Sequence, residues 1–312
     1  MIQRRDVRND RRSVNLRGDQ RRHKTGELVC PFRSVKTYSG QRMTYQIRQL
    51  NLGGILDQAI AIVKDNFMLL AGILMIVWVP YQLIAGAVNL VIMPDMAAAE
   101  SEMDLAAMQQ EVVVNLIYTL PLTLIGLFIV LPLTNAAMVF AVAQLYLGYT
   151  ITPIEAIRLG LRKIVPLVGT SVLMGLAIFG GLLLCLIPGI LAALWFGLAQ
   201  HVVILEDTSG VAALKRSKTL ITPYLGTFLI LGVILTIIGA VIGGGSALIP
   251  IPWLQMLVMV ALQGAMTLFS TAAFVVFYFS CRCGIENFDL EYLAASVGGD
   301  AAPPTSTDSP FA

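Results

Sequence analysis

Charged side chains are scarce in this sequence. Asp, Glu, Lys and Arg make up 13% of 312 residues, against about a quarter in soluble domains. A surface needs charge to stay in water, and with 57% hydrophobic residues and a mean hydropathy of +0.78 this chain does not have enough. Reactive groups are as thin. There are two histidines, and the four cysteines, Cys30, Cys185, Cys281 and Cys283, show neither a metal-binding spacing nor a disulfide framework. Cys281-Arg282-Cys283 is half a metal site at most. The glycine runs at Gly180-Gly181 and Gly243-Gly244-Gly245 have no P-loop lysine and no preceding strand, so they read as close-packing or turn glycines. No nucleotide fingerprint, zincin motif or catalytic triad is present. No metal, no cofactor and no enzymatic activity are expected.

What charge there is lies unevenly. Residues 1–42 hold twelve Lys or Arg against four Asp or Glu, a net +8, while the rest hold nine against fifteen, a net −6. The arm 1–42 lacks periodicity and should be disordered. It reads either as a polybasic segment drawn to anionic lipid or nucleic acid, or as an extension foreign to the natural protein, which then starts at Met43. The second reading is preferred, so nucleic acid is not an expected partner. Residues 43–293 form the membrane domain, and 294–312 a disordered polar tail.

Crossing about 30 Å of hydrocarbon takes roughly 20 apolar residues as a helix. Six runs qualify: Phe67–Met93, Val112–Gly148, Pro166–Ile187, Ile190–Leu205, Tyr224–Leu248 and Leu254–Ser280. The third and fourth are separated only by Pro188-Gly189. The second could be one kinked helix or two passes, and charge decides. With one pass, Arg48, Lys64, Arg158, Arg162, Lys163, Lys215, Arg216, Lys218 and Arg282 all fall on one side, the side on which positive residues are retained during insertion. The expected fold is therefore all-α and polytopic, with six transmembrane helices and both termini in the cytoplasm, in the cytoplasmic membrane of a prokaryote.

Three amphipathic stretches precede the odd-numbered runs, as in a loose threefold repeat of interfacial helix, outward pass and inward pass. The first carries Leu52, Ile55, Leu56, Ala59, Ile60 and Val63 at helical spacing, after Asn51. Thr152-Pro153-Ile154-Glu155 opens the second with a capping box; Ile154, Ile157, Leu161 and Ile164 then oppose Glu155, Arg158 and Arg162. In the third, Ser209 is the cap candidate, with Val211, Leu214 and Ile221 against Lys215, Arg216 and Lys218. These three cytoplasmic helices are expected to lie at the interface as anchors or packing elbows. Arg158, Arg162, Lys163, Lys215, Arg216 and Lys218 are the candidates for lipid-headgroup contact.

Ionisable residues inside a membrane mark proton relays, ion paths and catalytic sites. The six runs hold one such group, His201, beside Gln200. Gln82, Asn89, Asn115, Asn135, Gln144, Gln255 and Gln263 are uncharged, and interhelical hydrogen bonding is the expected role for most of them. Thr134 and Asn135, next to Pro132, stand apart because a kink frees carbonyls that can line a cavity. Asn135, Thr134, Gln200 and His201 form the candidate polar cavity.

Several stretches resemble one family: Leu52-Gly-Gly-Ile-Leu-Asp57-Gln-Ala; Ile187-Pro-Gly-Ile190 with Trp195; Val202-Val-Ile-Leu-Glu206 with Ala213-Leu-Lys-Arg-Ser217; and Phe277-Tyr-Phe-Ser-Cys-Arg282-Cys-Gly-Ile-Glu-Asn-Phe-Asp289-Leu-Glu291. Together they are similar to the membrane domain of some bacterial glycerophosphoryl diester phosphodiesterases and to standalone multipass inner-membrane proteins that share it. The resemblance covers most of residues 50–293. It implies a phosphodiesterase activity residing in a separate soluble barrel with acidic and His residues around a metal. A barrel takes about 250 residues, and only a short polar stretch follows Asp289, so that activity is not expected of this chain. The leading expectation is a non-enzymatic scaffold, anchor or regulatory subunit, with the bilayer and a membrane or cytoplasmic protein as partners. A transporter or lipid-handling protein is the alternative.

Overall fold

The computed structural model describes residues 45, 48–97, 113, 117, 119–246 and 248–288, with side chains described to residue 88 in the first long helix. The basic arm 1–42 with Cys30, Met43, the side chain of Asn89, most of the acid-rich stretch (residues 98–111), Asn115 and the tail 294–312 lie outside the described residues. Among the described residues there are helices and no strands: α1 Leu52–Asp65, α2 Phe67–Ala97, α3 Leu120–Ile125, a π segment Gly126–Val130, α4 Leu131–Tyr146, α5 Pro153–Leu184, α6 Leu186–Trp195, α7 Ala199–Leu205, α8 Gly210–Ile221, a 3₁₀ turn Thr222–Tyr224, α9 Leu225–Ser246 and α10 Pro252–Glu286. They make six spans long and apolar enough to cross a membrane: Phe67–Val88, Leu120–Tyr146, Pro153–Leu184, Leu186–Leu205, Gly210–Gly245 and Pro252–Glu286, passes one to six below.

Among the described residues the second apolar run gives one span. Helix continues from Leu120 to Tyr146 through the π segment, where the Leu131 N–H bonds to the Gly126 carbonyl, five residues back. Pro132, with no N–H to give, follows directly. The widened turn also meets pass one: the Tyr81 hydroxyl donates to the Leu122 carbonyl at 3.1 Å, and a Cβ on Gly126 would lie 2.1 Å from Tyr81 Oη. A π-bulge at such a place re-aims the helix that follows it.

All the pass ends near basic residues meet at one end of the bundle. The Leu50 N–H donates to Ser280 Oγ at 2.9 Å, Tyr45 stacks on Tyr146 and Tyr146 on Phe279, and Lys163 pairs with Asp207. This end, hereafter the basic end, holds the sealed part of the core. Pass two from Thr134 to Tyr146 is buried except for Asn135, and Tyr278, Phe140, Phe277, Phe279 and Ile55 are among its largest fully enclosed side chains. A helix apolar all round belongs in the middle of a bundle; passes two and six take that place, with α1 against pass six.

Three local expectations need correcting. First, the turn between passes three and four is not Pro188-Gly189. It is Cys185 alone, with extended backbone (φ −173°, ψ 155°), and Pro188 sits in the first turn of α6. The reversal is tight because Gly181 and Gly189 face each other: a Cβ on Gly181 would lie 2.9 Å from Gly189 Cα.

Second, the middle amphipathic stretch is no separate helix. The Thr152–Glu155 capping box forms, with Glu155 N–H to Thr152 Oγ1 at 3.3 Å and Thr152 N–H to Glu155 Oε2 at 3.0 Å. From it α5 runs on through Pro166 for 32 residues, about 48 Å at 1.5 Å per residue. Its large apolar residues are not the ones that pack against the protein. Ala156, Gly160, Lys163, Leu167 and Thr170 pack inward, whereas Ile154, Leu161 and Val165 are 67%, 53% and 82% exposed. Small residues let backbones approach in a membrane, where lipid covers large apolar side chains as well as protein does. A Cβ on Gly160 would stand 3.1 Å from the Ala137 nitrogen of pass two.

Third, Ser209 makes no side-chain cap. The N-terminus of α8 is held from outside, the Gly210 N–H donating to Thr170 Oγ1 of pass three at 2.8 Å.

Candidate functional site: a polar double chamber beside a broken helix

Pass four is two helices. α6 stops at Trp195 and α7 starts at Ala199, leaving Phe196-Gly197-Leu198 as a turn. Pass five crosses there: a Cβ on Gly197 would lie 2.3 Å from the Phe228 ring. Backbone groups released inside a membrane need partners. Ser217 of α8 supplies two of them, donating to the Trp195 carbonyl at 2.8 Å and accepting from the Leu198 N–H at 3.2 Å. Ser217 lies on the buried stripe of α8 with Ala213, Leu220 and Ile221; a buried serine on an otherwise small and apolar stripe is the signal that sequence reading passed over.

Beside this break lie two chambers. One, about 280 Å³, is lined by Asn135, Met174, Gly197, Gln200, His201, Ser270, Thr271 and Phe274. The other, about 360 Å³, is bounded by Trp78, Leu127, Pro132, Thr134, Ser171 and Thr267 among others, and shares Asn135, Gln200 and Thr271 with the first. The four residues of the expected polar cavity, Asn135, Thr134, Gln200 and His201, thus come together. Between the chambers the Asn135 amide donates to Gln200 Oε1, and Gln200 Nε2 donates to Ser171 Oγ at 3.2 Å. Asn135, Trp78 and Thr271 stand eleven residues from Tyr146, Phe67 and Arg282, whereas Gln200 and Ser171 stand five and eight from Leu205 and Lys163. At helical rise these are about 16, 8 and 12 Å, which puts the chambers in the half of the bundle nearer the basic end.

Two polar atoms at the chambers have no partner: Thr134 Oγ1 and His201 Nδ1. Both side chains are buried, and the His201 ring is tilted against Phe274, ring centroids 6.0 Å apart. Gln82 and Gln263, by contrast, pair with each other across passes one and six at 3.1 Å, the interhelical role expected of membrane amides.

The candidate headgroup residues divide. Lys163 is buried against Asp207, and Arg216 is held by Glu206 at 2.7 Å and by Glu286. Both are engaged by carboxylates of this chain. Lys218 lies over the Trp195 ring, 4.0 Å from its centroid, a cation–π contact. Arg158, Arg162 and Lys215 are exposed. Arg216 belongs to a lattice that sequence reading did not find. The Tyr278 hydroxyl donates to Glu206 Oε1 at 2.8 Å, and Arg282 bonds Glu286 Oε2 at 2.9 Å while its guanidinium stacks on Phe288, 4.6 Å from the centroid. Glu206, Arg216, Glu286 and Arg282 come from three elements, so no local spacing signals the cluster.

Six spans in an all-helical bundle define a polytopic helical membrane protein. Beyond that class, no protein-family model, no curated protein and no solved structure matches the chain.

Proposed function

We propose that this is a non-enzymatic multipass protein of a prokaryotic cytoplasmic membrane, termini inside, that handles a lipid or a small polar solute within the bilayer. The observation that carries this reading is the interrupted fourth helix beside an amide- and hydroxyl-lined double chamber enclosed by passes one, two, three, four and six. Discontinuous helices around a polar site within the bundle are a recurring way for membrane proteins to hold a polar cargo. The second chamber also reaches the lipid-facing side, since Leu127 and Leu131 on its wall are each 51% exposed. Membership of the phosphodiesterase membrane-domain family is part of the proposal. The stretches that carry that resemblance hold Glu206, Arg216, Tyr278, Arg282 and Glu286, the members of the ionic lattice.

The test is reconstitution in liposomes, following fluorescent phospholipids by dithionite quenching and small solutes by light scattering. Flux that falls tenfold or more in Asn135→Leu is expected; no flux of any probe from the wild-type protein overturns the reading. The termini-inside topology predicts labelling of Cys185 from outside the cell and of an Arg162→Cys variant only after the membrane is opened.

A second reading, a scaffold or regulatory anchor, draws on the exposed face of α5, where Ile154, Leu161 and Val165 stand with Arg158 and Arg162. Apolar residues in the acyl boundary beneath basic ones fit an interfacial anchor. Crosslinking in native membranes discriminates: a reproducible protein neighbour at residues 152–165 favours the scaffold, and lipid adducts alone favour handling.

A further inference from the structure

Five helical threonines in this protein behave alike. Thr170, Thr219, Thr222, Thr236 and Thr267 each donate their hydroxyl to the carbonyl four residues back, at 2.6–3.1 Å. This is the default for threonine inside a helix. Thr134 is equally helical and 2% exposed, yet its hydroxyl has no partner. Its carbonyl four back belongs to Val130, the last residue of the π segment, and the hydroxyl does not make the bond that the other five make. The hydroxyl is left on the wall of the second chamber. His201 Nδ1 is the matching orphan on the wall of the first. A buried polar atom without a partner is costly, and two of them bracket the Asn135–Gln200 pair.

Among the described residues that line the chambers there is no Asp, Glu, Lys or Arg. The nearest carboxylates in sequence, Glu206 and Asp207, are engaged by Arg216 and Lys163 at the basic end. A charged group placed there would find no counter-charge on the walls, and an unpaired buried charge is costly. The lining instead offers amides and hydroxyls, which both donate and accept. Each chamber exceeds the roughly 30 Å³ that one water takes up in the liquid several times over.

We infer that the double chamber is a binding site for an uncharged hydroxyl- or amide-bearing group, held by Thr134 Oγ1 and His201 Nδ1, with the Asn135–Gln200 amide pair parting to admit it. The inference rests on the handling reading for its purpose, but binding can be measured without any flux. The source is either the headgroup of an uncharged lipid, entering past Leu127 and Leu131, or a free solute.

Trp78 lines the second chamber and is 5% exposed, so it is a built-in reporter. In the full chain carrying Trp195→Phe and Trp253→Phe, Trp78 is the single tryptophan emitter. Acetamide and a diacylglycerol are the uncharged probes; acetate, methylammonium and phosphatidylserine are the charged ones. The expected result is a saturable shift of Trp78 emission with an uncharged probe only, with Kd raised tenfold or more by Thr134→Val, which keeps the side-chain shape, and by His201→Phe. A shift with acetamide identifies a solute, and one confined to diacylglycerol identifies a lipid headgroup. Charged probes binding as tightly, an unchanged Kd in Thr134→Val, or no shift with any probe overturns the inference. Saturable uncharged binding without flux keeps it and removes the handling reading. Asn135-dependent flux with only charged probes shifting Trp78 does the reverse.

Discussion

Toward the basic end the bundle is sealed. Phe140, Phe277, Tyr278 and Phe279 are enclosed, α1 packs on pass six, and Glu206, Glu286 and Asp207 are each met by a cation. Beyond the chambers the described close contacts join neighbouring passes one at a time. Tyr81 touches Gly126 between passes one and two, Met256 lies against Gly86 between six and one, and Gly181 meets Gly189 between three and four. Past Leu235, pass five buries no residue. The difference follows from the solvent. Lipid tails satisfy an apolar helix as well as another helix does, so hydrophobicity gives no reason to associate. Helices close up where polar bonds, ion pairs and small-residue contacts require it, and the described ion pairs are all at one end.

The contrast should break most visibly at Glu206. Glu206→Ala leaves Arg216 and Tyr278 without a shared partner, and about 3 kcal/mol of stability should be lost, as when one member of a largely buried pair is removed. Thermal unfolding in mild detergent measures it, and a loss below about 1 kcal/mol would mean the lattice does not hold the end shut. Next comes the same substitution at two depths. Gly160→Leu forces a side chain against the pass-two backbone and should cost about 2 kcal/mol, whereas Gly239→Leu points into open space on pass five and should stay within about 0.5 kcal/mol. Equal costs would erase the distinction between the halves.

A smaller contrast separates two hydroxyls. Ser217→Ala removes both bonds that bridge the pass-four break and should cost about 1–2 kcal/mol, with faster amide exchange at Leu198 as its signature. Thr236→Ala, whose hydroxyl serves only its own exposed helix turn, should leave exchange unchanged. The smallest pair tests the caps. Thr152→Ala should lose about 1 kcal/mol, and Ser209→Ala, a residue that caps nothing, should lose none measurable by chemical denaturation.

How much of this could be read in advance depends on the question asked of each residue. Long apolar runs imply spans because length and hydrocarbon thickness are directly linked, and the nine cations after residue 42 fall at one end as their spacing implied. Thr152-Pro-Ile-Glu155 was legible for the same reason: cap chemistry is local. The inward face of α5 was not, because hydrophobic periodicity cannot tell a side chain covered by lipid from one covered by protein. There Gly160 and Ala156 mark the packing face and Leu161 and Val165 the lipid. Asn135, Thr134, Gln200 and His201 were visible as polar exceptions in apolar runs. Thr170, Ser171, Ser217 and Thr271, which complete or support the chambers, are too ordinary in a membrane helix to stand out. Whether Arg216 meets a headgroup or Glu206 depends on three elements arriving together, which no window along the chain contains.

The one-residue reversal at Cys185 bears on how the protein is made. With no hydrophilic connector between them, α5 and α6 present nothing that must be dragged through the bilayer. The two can slide laterally from the translocation machinery as a single closed needle, point first, already zipped at Gly181 and Gly189. A longer polar insert at that tip would turn a partitioning event into a secretion event.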